Sequence, residues 1–227
     1  MRLVLASMIA ALVGLPGLGC SSTPPLLYRA EAIDGNVVDD DTRKPIEGVI
    51  VVAQWEVVGG FMEAIPMGDL EILETVTDAE GAYHFDAWGP REIIAGHFFG
   101  NDPGLIFFKP GYEFKSLRNS LHPPGAGSPM YDEYGQARCV WSGKTIDLKP
   151  ETPSQRIAQQ HLIDMYVPFQ GKPCSWKKMP RLLVALISVV ESAPDGGAQH
   201  RRSVLETLES ERHPDCGSVE EFLRRFQ

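Results

Sequence analysis

The spacing of apolar and polar residues changes period once along this chain, near Pro150. Before that point it follows strands. Val49, Val51, Ala53, Trp55 and Val57 alternate with Ile50, Val52, Gln54 and Glu56. This predicts a strand buried on both faces at its start and on one face later. Leu70 to Thr77, Ala82 to Ala87, Leu105 to Lys109 and Lys144 to Lys149 are further β-rich runs. Asp78-Ala79-Glu80-Gly81, Trp88-Gly89-Pro90 and Lys109-Pro110-Gly111 punctuate them as turns. No helical pattern of about 10–15 residues separates the strands, so an antiparallel β-sandwich is predicted rather than a parallel α/β sheet.

Residues 118–143 break the pattern. They hold Pro123-Pro124-Gly125, Gly127, Pro129 and Gly135 without periodicity and read as a long loop inserted before the last strand. Tyr131, Tyr134 and Trp141 make this loop a candidate contact surface for a ligand, although rings that merely pin the loop to the sandwich would look the same. After Pro150 the period is helical. Ile157, Ala158, His161, Leu162 and Met165 follow a Ser154 cap, and Met179, Leu182, Leu183, Leu186, Val189 and Val190 form an apolar stripe. That stripe is too short and too closely flanked by charge (Lys177-Lys178, Glu191) for a bilayer span. A second helix, roughly 199–212, follows the Pro194-Asp195-Gly196-Gly197 turn. Ser218-Val219-Glu220-Glu221 has capping-box form.

The chain begins with Arg2 and an apolar run from Leu3 to Leu15, the length of a cleaved export signal. Gly17-Leu18-Gly19-Cys20 resembles the lipobox of bacterial lipoproteins, whose Cys is acylated and becomes the new N-terminus. Gly17 stands where that family usually carries an aliphatic residue, and the same stretch also suits an ordinary signal peptidase. The resemblance implies lipidation at Cys20 and a membrane anchor. Ser21 follows where a retention signal would place Asp, so the expected location is the cell envelope, on the outer membrane and facing the periplasm. The organisation predicted is a signal peptide over 1–19, a tether over 20–28, a sandwich over 29–150 containing the 118–143 loop, and a helical tail over 151–227.

Charge narrows the partners. The formal net charge is −9. Residues 29–150 hold 10 Lys plus Arg against 20 Asp plus Glu, whereas the tail holds 10 of each. An acidic sandwich lacks the clustered cations that nucleic acid requires. The expected partner, an unknown envelope protein or glycan, comes from a family resemblance and not from the charge. In an oxidising compartment Cys139, Cys174 and Cys216 are free to pair. Two helices of about 14 residues, each roughly 21 Å long, would form an antiparallel hairpin with Cys174 just before it and Cys216 just after. A Cys174–Cys216 disulfide is therefore expected, with Cys139–Cys174 as the rival pairing.

Gly35-x-Val37-x-Asp39-x-x-Thr42-x-x-Pro45-Ile46-x-Gly48-Val49-x-Val51 resembles the opening of carboxypeptidase regulatory-like domains. Thr75-x-Thr77-Asp78-x-x-Gly81-x-Tyr83-x-Phe85 and Phe107-Phe108-Lys109-Pro110-Gly111-Tyr112 continue the likeness. The resemblance implies a transthyretin-like sandwich of about seven strands, accessory in role, that stabilises or presents a neighbour or binds proteins or glycans.

Catalytic chemistry is not evident in the linear sequence. Asp39-Asp40-Asp41 lacks the spacing of a calcium loop and reads as a solvated turn. His161 with Asp164, and His84 with Asp86, are pairs without an evident third metal ligand. HExxH, GxSxG and P-loop patterns are missing. Intradiol dioxygenases, which use a related sandwich, hold iron with two His and two Tyr, a set that the sequence alone does not assemble. The expectation is a non-enzymatic envelope-anchored module without cofactor or metal. Its alternatives are a carbohydrate- or peptide-binding lipoprotein using the 118–143 loop and, more remotely, a metal-dependent hydrolase.

Overall fold

The computed structural model of the chain describes residues 26–59, 65–93, 96, 103–119, 138–152, 174–191 and 214–227. The architecture is mainly β: two sheets packed face to face, a short ribbon beside them, and a C-terminal helical tail on one outer face. The first sheet has the order β5 (Ala82–Phe85), β2 (Ile33–Asp39), β9 (Lys144–Leu148). The second has the order β4 (Ile65–Val76), β3 (Ile50–Gly59), β7 (Gly104–Phe108), β8 (Lys115–Leu117). Every pair within the sheets is antiparallel except β2 with β9, which run parallel from Gly35↔Lys144 to Asp39↔Leu148.

The two-sided apolar run of β3 has a direct structural reason. Val51, Ala53, Trp55 and Val57 face the other sheet and pack with Ile33, Val37, Tyr83, Phe85, Leu105, Phe107, Ile146 and Leu148. Ile50 and Val52 face outward, where with Ile72, Ile106 and Phe108 they lie under the tail. Gln54 and Glu56 fall beyond the apolar part of the tail and are only half-buried.

The turns follow from side-chain chemistry. Asp78 Oδ1 accepts from the backbone N–H of Ala82 at 2.8 Å and of Glu80 at 3.1 Å. Gly81 closes that turn at φ 73°, where an added Cβ would sit 2.4 Å from the Val37 carbonyl oxygen, so only glycine fits. Asp39 Oδ1 accepts from both the N–H and the hydroxyl of Thr42 at 2.8 Å. Tyr112 donates its hydroxyl to Asp39 Oδ2 at 3.1 Å. These bonds, the Thr42 N–H first, hold the Asp39 carboxyl below the usual range.

Trp88-Gly89-Pro90 departs from the turn expected of it. Trp88–Ile93 is a strand, β6, paired with β1 (Leu26–Ala30) in a two-stranded ribbon. Pro90 is tolerated because the ribbon register shifts between Tyr28 and Ala30, so a residue without an N–H breaks no regular ladder. The Trp88 ring packs edge-on to Trp55, with centroids 5.0 Å apart, which seats the ribbon against the core.

In the tail, a 3-10 turn (Ser175–Lys178) leads into helix α1 (Pro180–Glu191). Met179, Leu182, Leu183, Leu186 and Ile187 are buried against the outer face of the second sheet, together with Val219 and Leu223 of helix α2 (Val219–Leu223). Ser218 caps α2 by accepting from the Glu221 N–H. Cys174 and Cys216 are joined by a disulfide with Cα atoms 5.4 Å apart. Cys139 keeps a free thiol. The helices expected near 157–165 and 199–212 lie outside the described residues.

Two carboxylates of β4 fasten the tail. Glu71 pairs with Lys178 of the tail and with Arg91 of β6. Glu74 accepts from the N–H groups of Arg181 at 3.1 Å and Leu182 at 2.8 Å, capping α1 from a neighbouring strand. Burial raises the Glu74 pKa against the pull of those two donors. Replacing Glu74 by Ala is expected to cost about 1–2 kcal/mol through the two orphaned N–H groups. Glu74→Gln should cost less, because an amide oxygen still accepts. Urea unfolding of the three proteins tests this, and equal midpoints for Glu74→Ala and its parent would remove the cap from the account.

Candidate functional site

The outer face of the first sheet is polar and open. Asp34 and Asn36 of β2, His84 of β5 and Thr145 of β9 all point to solvent. Asp34 and His84 are directly opposed across the β2–β5 pair. His84 Nδ1 lies in hydrogen-bond contact with Asp34 Oδ1 at 2.5 Å, and its Nε2 with Asp86 Oδ1 at 3.1 Å. The two bonds, that to Asp34 first, raise the His84 pKa. A groove of about 490 Å³ opens beside this trio, lined by Asn36, Thr75, Asp78 and Ala82 among others. Among the described residues no group of three His, Cys, Asp or Glu side chains is placed to hold a metal ion.

A second polar cluster lies on the outer face of the other sheet, where the tail's apolar cover ends. Asp69 is only 6% exposed. Its Oδ1 accepts from Gln54 Nε2 at 2.7 Å, and its buried Oδ2 has no hydrogen-bond partner among the described residues. Burial pushes its pKa up to about 6, with the Glu56 carboxylate adding to the rise and Lys178 and Arg118 opposing it. Glu56 beside it pairs with Arg118 at 2.9 Å.

The residues singled out in the sequence are only partly gathered by the fold. Trp141 is half-buried against the inner core and donates its indole N–H to the Arg118 carbonyl at 3.1 Å. Asn119, which no local signal marked, clamps the two ends of the 118–143 loop. Its Nδ2 donates to the Arg138 carbonyl at 2.8 Å, and its Oδ1 accepts from the Val140 N–H at 3.0 Å. Cys139 packs beside Trp141 on the same core, and burial raises its thiol pKa. Cys20, Tyr131, Tyr134, His161 and Asp164 lie outside the described residues. Among the described residues no helix is long and apolar enough to cross a membrane.

No family model matches the chain, and no curated protein matches it. Solved structures do. A 3-chlorocatechol 1,2-dioxygenase from Rhodococcus opacus is 16% identical, over 63% of this chain and 71% of that one, at a TM-score of 0.34. An intradiol ring-cleavage dioxygenase from Tetranychus urticae is 14% identical over 57% and 84%, at 0.31. The dioxygenase domain of a carbohydrate-binding fusion from a Streptomyces is 22% identical over 58% and 84%, at 0.27.

These matches correct the expectation of a non-enzymatic envelope module and its binding-loop alternative, because the solved proteins that the chain resembles are enzymes. The physical reason for the error is plain. Missing linear motifs exclude only sites built on one segment, whereas a sandwich assembles its sites from separate strands and loops with no fixed spacing. At these TM-scores the likeness transfers neither iron ligands nor a substrate to this chain.

Proposed function

We propose that this chain is an exported β-sandwich of the carboxypeptidase regulatory-like kind, held on the outer membrane by acylated Cys20 and facing the periplasm. Its working surface is the polar outer face of the β5–β2–β9 sheet. One observation carries this reading, the Cys174–Cys216 bond that closes the tail over the other sheet. A structural disulfide belongs to an oxidising compartment and fits export. The tail that it fastens also occupies the outer face of the second sheet. The Asp34–His84–Asp86 face and its groove are thereby left open to a small-molecule ligand. Acceptor oxygens predominate there, which suits a small molecule bearing ammonium or other hydrogen-bond donors.

Metabolic labelling with an acyl-chain analogue tests the address. The wild-type chain is expected to take up label and sediment with membranes, whereas Cys20→Ser takes up none and leaves with the soluble fraction. Unlabelled wild type, or equal release of both proteins, would sink the reading.

A further inference from the structure

Large apolar side chains are exposed at four described positions: Ile65 at 58%, Met67 at 53%, Leu27 at 48% and Phe226 at 40%. Ile65 and Met67 belong to one end of the sandwich, and Leu27 is the second residue of β1. Ile65 opens β4 opposite Gly59, and Met67 sits at the register shift between the Val58–Pro66 and Val57–Gly68 pairs. An added Cβ on Gly96 would lie 3.2 Å from Met67 Sδ and 2.6 Å from Val57 Cγ1, so the chain leaving β6 passes over this end. Leu26 is paired with Ile93, only three residues before Gly96. Three residues reach at most about 11 Å, and paired strands lie about 5 Å apart, so the start of β1 is within roughly 20 Å of Met67.

The same end receives the N-terminal tether. Five residues, Ser21 to Pro25, separate Cys20 from Leu26, and the fully extended span is about 20 Å. We propose that Leu27, Ile65 and Met67 form the seat on which the sandwich rests against the bilayer that anchors Cys20. The inference rests on the acylation proposed above. Its occupant is the lipid surface because the anchor delivers that surface to this end, and because apolar side chains enter the acyl boundary at the headgroup level. The sandwich is acidic, so the contact is apolar rather than a cation patch drawn to anionic lipid. The opposite end, at the Asp78–Gly81 turn, is a full β3 strand away, about 33 Å at 3.3 Å per residue. The polar face of the first sheet then stands sideways to the membrane and open to the periplasm.

Depth quenching tests the seat with the full acylated chain in zwitterionic vesicles. Ile65→Cys, Met67→Cys and Glu80→Cys, each in a Cys139→Ser background, carry a bimane label. Phospholipids with a nitroxide high on the acyl chain are the quencher. Labels at 65 and 67 are expected to be quenched at least threefold more strongly than the label at 80, with no change at high salt. Vesicle flotation is read first. A chain that fails to float overturns the anchor and the seat together. A chain that floats with equal quenching at the three positions overturns the seat alone. Label–label excimers at low protein-to-lipid ratio would place a second copy there instead, and would also overturn it.

Discussion

Replacing the disulfide, as Cys174→Ser with Cys216→Ala, is expected to lower the unfolding free energy by about 4 kcal/mol. The bond closes a loop of 42 residues, for which restricting the unfolded chain contributes roughly that amount. A loss of this size matters because typical domains are stable by only about 5–15 kcal/mol. It also falls on one contact, the seam between α1, α2 and the apolar outer face formed by Ile50, Val52, Ile72, Ile106 and Phe108. Guanidinium unfolding measures the loss. Wild type in excess dithiol should show the same midpoint as the variant, since both lack the bond. Unchanged midpoints would mean that side-chain packing alone holds the tail.

The second large effect concerns pH. In the folded chain Asp69 titrates near 6, against 3.8 for an ordinary aspartate. At pH 7 both states carry the charge, and the folded state bears its desolvation cost, roughly 3 kcal/mol at 1.36 kcal/mol per unit. As pH falls through 6 the folded state takes up a proton before the unfolded chain does, so this contribution to stability rises. It levels off below the unfolded value, near pH 3.8. Asp69→Asn keeps an acceptor for Gln54 and removes the charge. The variant should be more stable than the parent at pH 8, by up to about 3 kcal/mol less the cost of one buried amide donor. That advantage should disappear by pH 4. An advantage that does not vary with pH would show that Asp69 is not the titrating group.

What the sequence made legible was whatever leaves a local trace. The uninterrupted apolar start of β3 announced two buried faces, and the stripe from Met179 to Leu186 announced the helix that covers one of them. Asp78, Gly81 and the Ser218 cap were readable because their partners lie within four residues. The β1–β6 ribbon was not, because Gly89-Pro90 has the composition of a turn and its strand is set by pairing with Leu26 to Ala30. The polar residues of the candidate sites were hidden for a related reason. Asp34 meets His84 across two strands, 50 positions apart. Asp69, Glu71 and Glu74 look like an ordinary solvent-facing series until Lys178 and the start of α1 are folded back onto them.

The parallel pairing of β2 with β9 has a kinetic consequence. β2 is among the first strands made and β9 is the last of the sandwich, and their junction joins Asp34 to Ser142 over 108 residues. Contacts that far apart form slowly, because loop closure precedes any gain from them. A chain synthesised from its N-terminus therefore emerges for most of its length with the middle strand of its three-stranded sheet bare along one edge. Until residues 144–148 arrive, that edge is open to pairing with other chains. Refolding from denaturant should accordingly be slow and sensitive to protein concentration, and truncation before Lys144 should yield aggregate rather than a smaller sandwich.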